Sequence, residues 1–219
     1  MKMHEKGRAF KGLAAGKYYN GFAKIFGMRS HFYKHALGKL HLTTGMTAVD
    51  LGCGTGLFTK ALANASAPDT KIIGIDLSDE QISHAEKTVA KEYPQTAFQV
   101  GSMDELPFKD KSIDIITTLG AVHEVPQIVA IEMLNEVRRV IKDEGLFLFI
   151  DIAKPKFGLS GIFWAIPMYL KSNIRDHMKN PYADLLQERG FIRLEDRYVN
   201  SVTRRQLFKK NNHQAKESK

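Results

Sequence analysis

From Met46 onward, short apolar runs alternate with amphipathic stretches, and few folds accept that alternation. The runs Thr47–Leu51, Lys71–Asp76, Ala97–Val100, Ile113–Leu119 and Gly145–Ile150 read as strands. Helical periodicity falls between them, near Leu57–Asn64, Ser78–Glu92 and Gln127–Ile141. The second helix opens on Ser78-Asp79-Glu80-Gln81, a capping box in which Ser78 and Gln81 can satisfy unpaired backbone donors. Its Ile82, Ala85 and Val89 then share one face. Strands that return through helices run parallel, so the expected fold is an α/β doubly wound sheet with helices on both faces. Past Gly190, Phe191–Val199 and Ser201–Phe208 lie close enough in sequence to pair antiparallel, which brings the expected sheet to seven strands.

Asp50 closes the first strand, and Gly52, Gly54 and Gly56 follow at alternate positions. Such a turn lets a ligand or the next helix approach the backbone. A dinucleotide fingerprint would need a third glycine three residues after the second, where this chain has Leu57. A phosphate-binding loop would need Gly-Lys-Ser/Thr, which does not follow. Asp76 ends the second strand twenty-two residues after Gly54. It is either a ligand carboxylate or an acid that only ends a strand before the Ser78 cap.

With Gly101-Ser102-Met103-Asp104-Glu105-Leu106-Pro107-Phe108, Leu119-Gly120-Ala121-Val122-His123-Glu124-Val125 and the run Leu134–Gly145, these segments resemble the class I S-adenosylmethionine-dependent methyltransferases. The style is that of methyltransferase type 11 and the ubiquinone and menaquinone C-methyltransferases, over roughly residues 15–151. The resemblance implies a Rossmann-like sheet and S-adenosylmethionine as cofactor. Gly52, Gly54, Thr55 and Gly56 would underlie its methionine and ribose, and Asp50 would lie near its ammonium group. Asp76 would accept from the ribose hydroxyls, followed by Leu77. Ser102 stands where the family has the Asp that meets the adenine amino group, so that contact falls to Ser102 or to nearby Asp104. Met103 would offer a backbone N–H and an apolar wall, and Leu119 ends the strand bordering the methyl group. Tyr18 and Tyr19 either close over the cofactor or pack in the core. Arg138 and Arg139 read as surface or helix-packing groups.

The acceptor is less constrained. His123 is the candidate base, because it sits beyond the fourth strand and titrates near neutrality; a wall or hydrogen-bonding role is the alternative. No Asn/Asp-Pro-Pro-aromatic motif of base-amino methylases follows that strand. The one cysteine, Cys53, lies inside the glycine turn, which disfavours cytosine-ring and arsenic methylation. His31 and His35 could share a helix face, but no third ligand is evident and no metal is expected. The apolar run Leu159–Leu170, with the only tryptophan at Trp164, reads as a lid over a small apolar or aromatic acceptor of the quinol kind, or as packing against the sheet.

The net charge of +8 is uneven. Residues 1–44 carry nine Lys/Arg against one acid, residues 197–219 carry seven against one, and the middle carries 16 bases against 22 acids. Basic ends can touch an anionic surface, so peripheral contact with anionic membrane is one expected partnership and a nucleic-acid-associated protein the alternative function; solvated faces account for the same charges. The expected division is a basic helical extension over 1–44 that helps cover cofactor and substrate, a methyltransferase domain over 45–208, and a disordered basic tail over 209–219. Charges interrupt any long apolar run in the first forty residues, and a single cysteine needs no oxidising compartment, so a cytoplasmic location is expected. Oligomeric state is left open.

Overall fold

Seven strands form one sheet in the computed structural model, which describes Gly7, Lys11, Gly16, Asn20, Gly21, residues 28–156, His177 and residues 182–211. They are β1 (Thr47–Leu51), β2 (Lys71–Asp76), β3 (Thr96–Val100), β4 (Ile113–Leu119), β5 (Ile141–Ile152), β6 (Phe191–Tyr198) and β7 (Thr203–Lys210), in the order β3-β2-β1-β4-β5-β7-β6. The first five pair in parallel, and β7 is antiparallel to both β5 and β6. The described helices are α1 (Ser30–Leu37), α2 (Leu57–Asn64), α3 (Asp79–Ala85), α4 (Gln127–Val140) and α5 (Tyr182–Glu188).

The two-residue period of the strands sorts side chains onto two faces. Val49, Leu51, Ile116, Phe147 and Phe149 bury against Val129, Met133, Leu134 and Val137 of α4 and against α5. Ala48, Ile115, Leu148 and Ile150 face the other way, toward Tyr33, Ala36 and Leu37 of α1 and Phe58 and Leu62 of α2. Helices therefore cover both faces. Each parallel strand needs this cover, because both of its sides are apolar.

Four of the differences from the sequence reading bear on the site and the packing. β5 begins at Ile141 rather than Gly145, since buried Ile141 pairs with Ile113 before the register shifts ahead of Leu146. The helix expected over Ser78–Glu92 passes through a π turn at Glu86–Ala90. The capping box closes only halfway: Ser78 Oγ accepts the Gln81 N–H at 3.2 Å, but the Gln81 side chain accepts the Gly16 N–H instead. Finally, β7 continues through Lys209 and Lys210, two residues past the expected end of the domain. Lys210 is buried there, and its ammonium donates at 2.9 Å to the carbonyls of Arg138 and Ile141. Those carbonyls end α4, where a cation is favoured.

The described C-terminal charges are paired inside the fold. Arg197 donates to the His35 carbonyl at 2.9 Å, Arg204 pairs with Asp196 at 2.6 Å, and Lys209 meets Glu144 at 2.5 Å. Arg205 is buried; its guanidinium donates to the carbonyls of Ala36 and Leu37 at 2.7 and 3.1 Å and faces Glu195 at 2.5 Å. It caps the end of α1. Arg139 likewise ties α4 to the loop before β4, through Glu136, Asp110 and the carbonyls of Leu106 and Phe108. Among the described residues, no helix is long and apolar enough to cross a membrane.

Candidate cofactor and acceptor site

The chain leaves β1 toward β2 on one side and reaches β4 on the other, so the strand order reverses at β1. Open α/β sheets place ligands beyond the carboxyl ends of the strands at such a reversal. A cleft of about 890 Å³, counting the solvent-open space at its mouth, lies there, with Asp50, Gly52, Gly54, Asp76, Met103 and Glu124 among its walls.

The glycine turn is built onto β2. The N–H groups of Gly52 and Cys53 both reach the Ile75 carbonyl, at 2.8 and 3.0 Å, and the Gly54 N–H donates to Asp76 Oδ2 at 2.8 Å. Gly52 has φ +67°, and a Cβ there would stand 2.2 Å from the Ala121 side chain. Only glycine allows the turn to approach the loop after β4. Gly54 has φ +53°, and a Cβ there would meet nothing within 4 Å. That Cβ would project into the cleft.

Asp76 Oδ1 accepts the Ser78 N–H at 2.9 Å, so each carboxylate oxygen uses one acceptor position and keeps another. Burial raises its pKa, opposed by these two N–H groups. Asp50 is buried more deeply, and its oxygens accept the hydroxyls of Thr59 at 2.6 Å and Thr117 at 2.8 Å. Burial lifts its pKa to about 6 against the pull of those hydroxyls, and the charge of Asp76 adds to the rise. At pH 7 it is still mostly ionised. Cys53 packs with Ile82, Ala85, Val89 and Phe98, and burial pushes its thiol well up, with Asp76 and Asp50 adding. Such a thiol is a core group rather than a nucleophile.

Of the residues singled out from sequence, Asp50, Gly52, Gly54, Thr55, Asp76, Leu77, Met103 and Leu119 meet at the cleft. Three others stand behind it. Gly56 starts α2 with φ +78°, against Phe98 and Val89. The Ser102 hydroxyl donates to Asp104, which joins the two alternatives for the adenine contact. His123 turns toward the sheet: Nδ1 lies 2.6 Å from Asp151 Oδ1, while the N–H groups of Val122 and His123 donate to Asp151 Oδ2 at 2.9 and 3.1 Å. Burial raises the Asp151 pKa, but His123 and the Ile152 N–H outweigh it and hold the carboxyl below its usual range. Tyr18, Tyr19 and the run Leu159–Leu170 lie outside the described residues.

Sequence reasoning did not pick out Asp151 as a partner of His123. Its signal is an acid directly after the apolar run Leu146–Ile150, still within β5. Glu124 and Gln81 also line the cleft; in sequence Glu124 is only part of the Leu119–Val125 run and Gln81 one half of a capping box. The N-terminal segment reaches the site as well. Thr55 donates its hydroxyl to Asn20 Oδ1 at 2.5 Å, and Asn20 Nδ2 lies 3.3 Å from His84 Nε2 on α3.

A doubly wound sheet whose β7 alone runs antiparallel to the rest, an acid-ended β2 and a glycine turn at the reversal define a Rossmann-like methyltransferase fold. Residues 48–145 match the family described as Methyltransferase domain, a match that implies S-adenosylmethionine as cofactor. The demethylmenaquinone methyltransferase of Lactobacillus johnsonii is 32% identical to it over 161 residues, covering 69% of this chain and 64% of that one. The demethylmenaquinone methyltransferase of Geobacillus stearothermophilus is 28% identical over 161 residues, covering 72% and 67%. The chain thus spans 64% and 67% of the lengths of these two relatives. A SAM dependent methyltransferase from Aquifex aeolicus has the same fold, with a TM-score of 0.63 at 19% identity over 85% of this chain and 97% of that one.

The residues present suit the cofactor. A sulfonium and an ammonium require negative charge nearby, which Asp50 supplies. A ribose diol requires paired acceptors, which Asp76 retains. The open space above Gly54 leaves room for the ligand against the backbone.

Proposed function

We propose that this protein methylates a small, apolar or aromatic acceptor of the quinol kind. The observation that carries the reading is Asp76, which braces the glycine turn through Gly54 and keeps two acceptor positions facing the cleft. When bound, S-adenosylmethionine supplies an electrophilic methyl group on a sulfonium. Asp76 would hold the ribose, Asp50 would face the positive end, and Leu77 and Met103 would wall the adenine. Gly16 and Asn20, joined to Gln81, Thr55 and His84, support a covering role for the N-terminal extension. Alignment in a closed site is worth roughly 7–11 kcal/mol of the barrier in reactions of this kind.

His123 is the proposed proton holder. A neutral ring that donates Nδ1–H to Asp151 keeps Nε2 as an acceptor, and Asp151 stabilises the ring once it takes a proton from the acceptor. The names of the relatives support a quinol as that acceptor. The nucleic-acid alternative loses support from the C-terminal side, where Arg197, Arg204, Arg205, Lys209 and Lys210 have partners within the fold.

The test has two parts. S-adenosylhomocysteine at a hundred times its Kd should stabilise the chain by about 2.7 kcal/mol, which is about 5–11 °C in Tm for a domain of this size. Asp76→Ala should weaken that binding by about tenfold or more, since a charged hydrogen bond is worth about 1.5–3 kcal/mol. Labelled S-adenosylmethionine should then mark quinols or phenols rather than RNA or DNA. No binding of either cofactor form at millimolar concentration would remove the reading.

A further inference from the structure

Among the described residues three carboxylates line the cleft, and two are already committed. Asp50 is held by Thr59 and Thr117, and Asp76 by the amides of Gly54 and Ser78. Both lie at the β1–β2 side, with the glycine turn. The third, Glu124, stands on the turn after β4, among Leu119, Ala121 and Val125. Its side chain keeps 26% of its surface exposed, and its Oε1 is 3.6 Å from His123 Nε2. His123 itself stands behind this wall, with Nδ1 on buried Asp151. A line of groups therefore runs from the cleft into the sheet: Glu124, His123, Asp151.

We propose that Glu124 is the residue that recognises the methyl acceptor, selecting apolar molecules that present one hydroxyl hydrogen. The inference rests on the proposed function and names the group that meets the substrate. A carboxylate accepts hydrogen bonds and donates none when ionised, so it favours a hydroxyl over an ether of the same shape. Its apolar neighbours supply the remaining contact and exclude water. With the hydroxyl on Glu124, His123 Nε2 lies behind the same carboxylate. A proton leaving the acceptor oxygen is then taken up by the Glu124–His123 pair, and its electron pair stays on the acceptor.

The test is binding, which does not depend on turnover. In the presence of S-adenosylhomocysteine, 1-naphthol and 1-methoxynaphthalene are titrated into the wild-type protein, Glu124→Ala and Glu124→Gln. Wild type should prefer the naphthol about tenfold or more. Glu124→Ala should bring the two within about threefold, and Glu124→Gln, which keeps an acceptor oxygen, should fall between. S-adenosylhomocysteine affinity and Tm should stay unchanged in both variants, because Glu124 sits apart from the cofactor carboxylates and is partly exposed. A naphthol preference that survives Glu124→Ala overturns the proposal, as does equal binding by wild type. If wild type binds S-adenosylhomocysteine but neither naphthalene, the acceptor reading beneath the proposal fails too. If it does not bind S-adenosylhomocysteine, the cofactor reading fails first.

Discussion

Asp50 shows how one residue can serve the site at a cost to the fold. Burial lifts its pKa to about 6, from an ordinary 3.8, although two threonine hydroxyls favour its charged form. The folded state therefore holds this proton more tightly than the unfolded chain does. Between about pH 4 and pH 6 the folded form binds more protons, so the contribution of Asp50 to stability falls as pH rises and is lost above pH 6. The shift corresponds to about 3 kcal/mol, to order of magnitude. Asp50→Asn should thus raise stability at pH 7 by about 1–3 kcal/mol and change little at pH 4. Urea unfolding of the cofactor-free chain at both pH values would reveal this, and equal effects at the two would refute it. Its S-adenosylmethionine affinity should fall, because the cofactor's positive end would lose its charge partner.

At the scale of elements, the glycine turn and the β7–α1 contact make different demands. Ala at Gly52 or Gly54 would carry about 1–2 kcal/mol of left-handed strain. At Gly52 the new Cβ also strikes Ala121, whereas at Gly54 it enters open cleft. Gly52→Ala should lower Tm clearly more than Gly54→Ala, while Gly54→Ala should weaken S-adenosylhomocysteine binding out of proportion to its small Tm change. Paired melting and calorimetry separate the two, and equal Tm losses would contradict the geometry. The second contact sets a buried charge against an exposed one. Arg205→Ala removes donors from the Ala36 and Leu37 carbonyls and should cost about 2–4 kcal/mol in urea unfolding. Lys209→Ala breaks an exposed pair with Glu144 and should cost under about 1 kcal/mol. The glycines were visible in the sequence because the turn is local. Arg205 was not, because nothing near it in sequence announces the carbonyls of a helix about 170 residues earlier.

At the scale of the whole molecule, the same division decides what could be read. Strand–helix alternation is local, and it led directly to the parallel strands, to the helices on both faces and to the position of the cleft. His123 was legible as a strand-end histidine, but its turn toward Asp151 depends on β5 lying beside β4. Charge is the case where local reading reaches least far. The described members of the C-terminal cluster pair within the fold, whereas the N-terminal cluster of nine Lys/Arg against one acid is the expected footprint for an anionic surface. If the acceptor is drawn from a membrane, that N-terminal cluster should bring the protein to it. Vesicles with about a third phosphatidylserine should then carry the protein upward in a flotation gradient at low salt, each basic residue adding about 1 kcal/mol near the surface. Raising salt to about 0.5 M should release it, because screening shortens the reach of the field to a few ångströms. Replacing Lys2, Lys6, Arg8 and Lys11 with Gln should abolish flotation, and Lys209→Gln should not. Protein that stays at the bottom of the gradient at low salt would leave the basic N-terminus as a solvated surface and the acceptor as one reached from water.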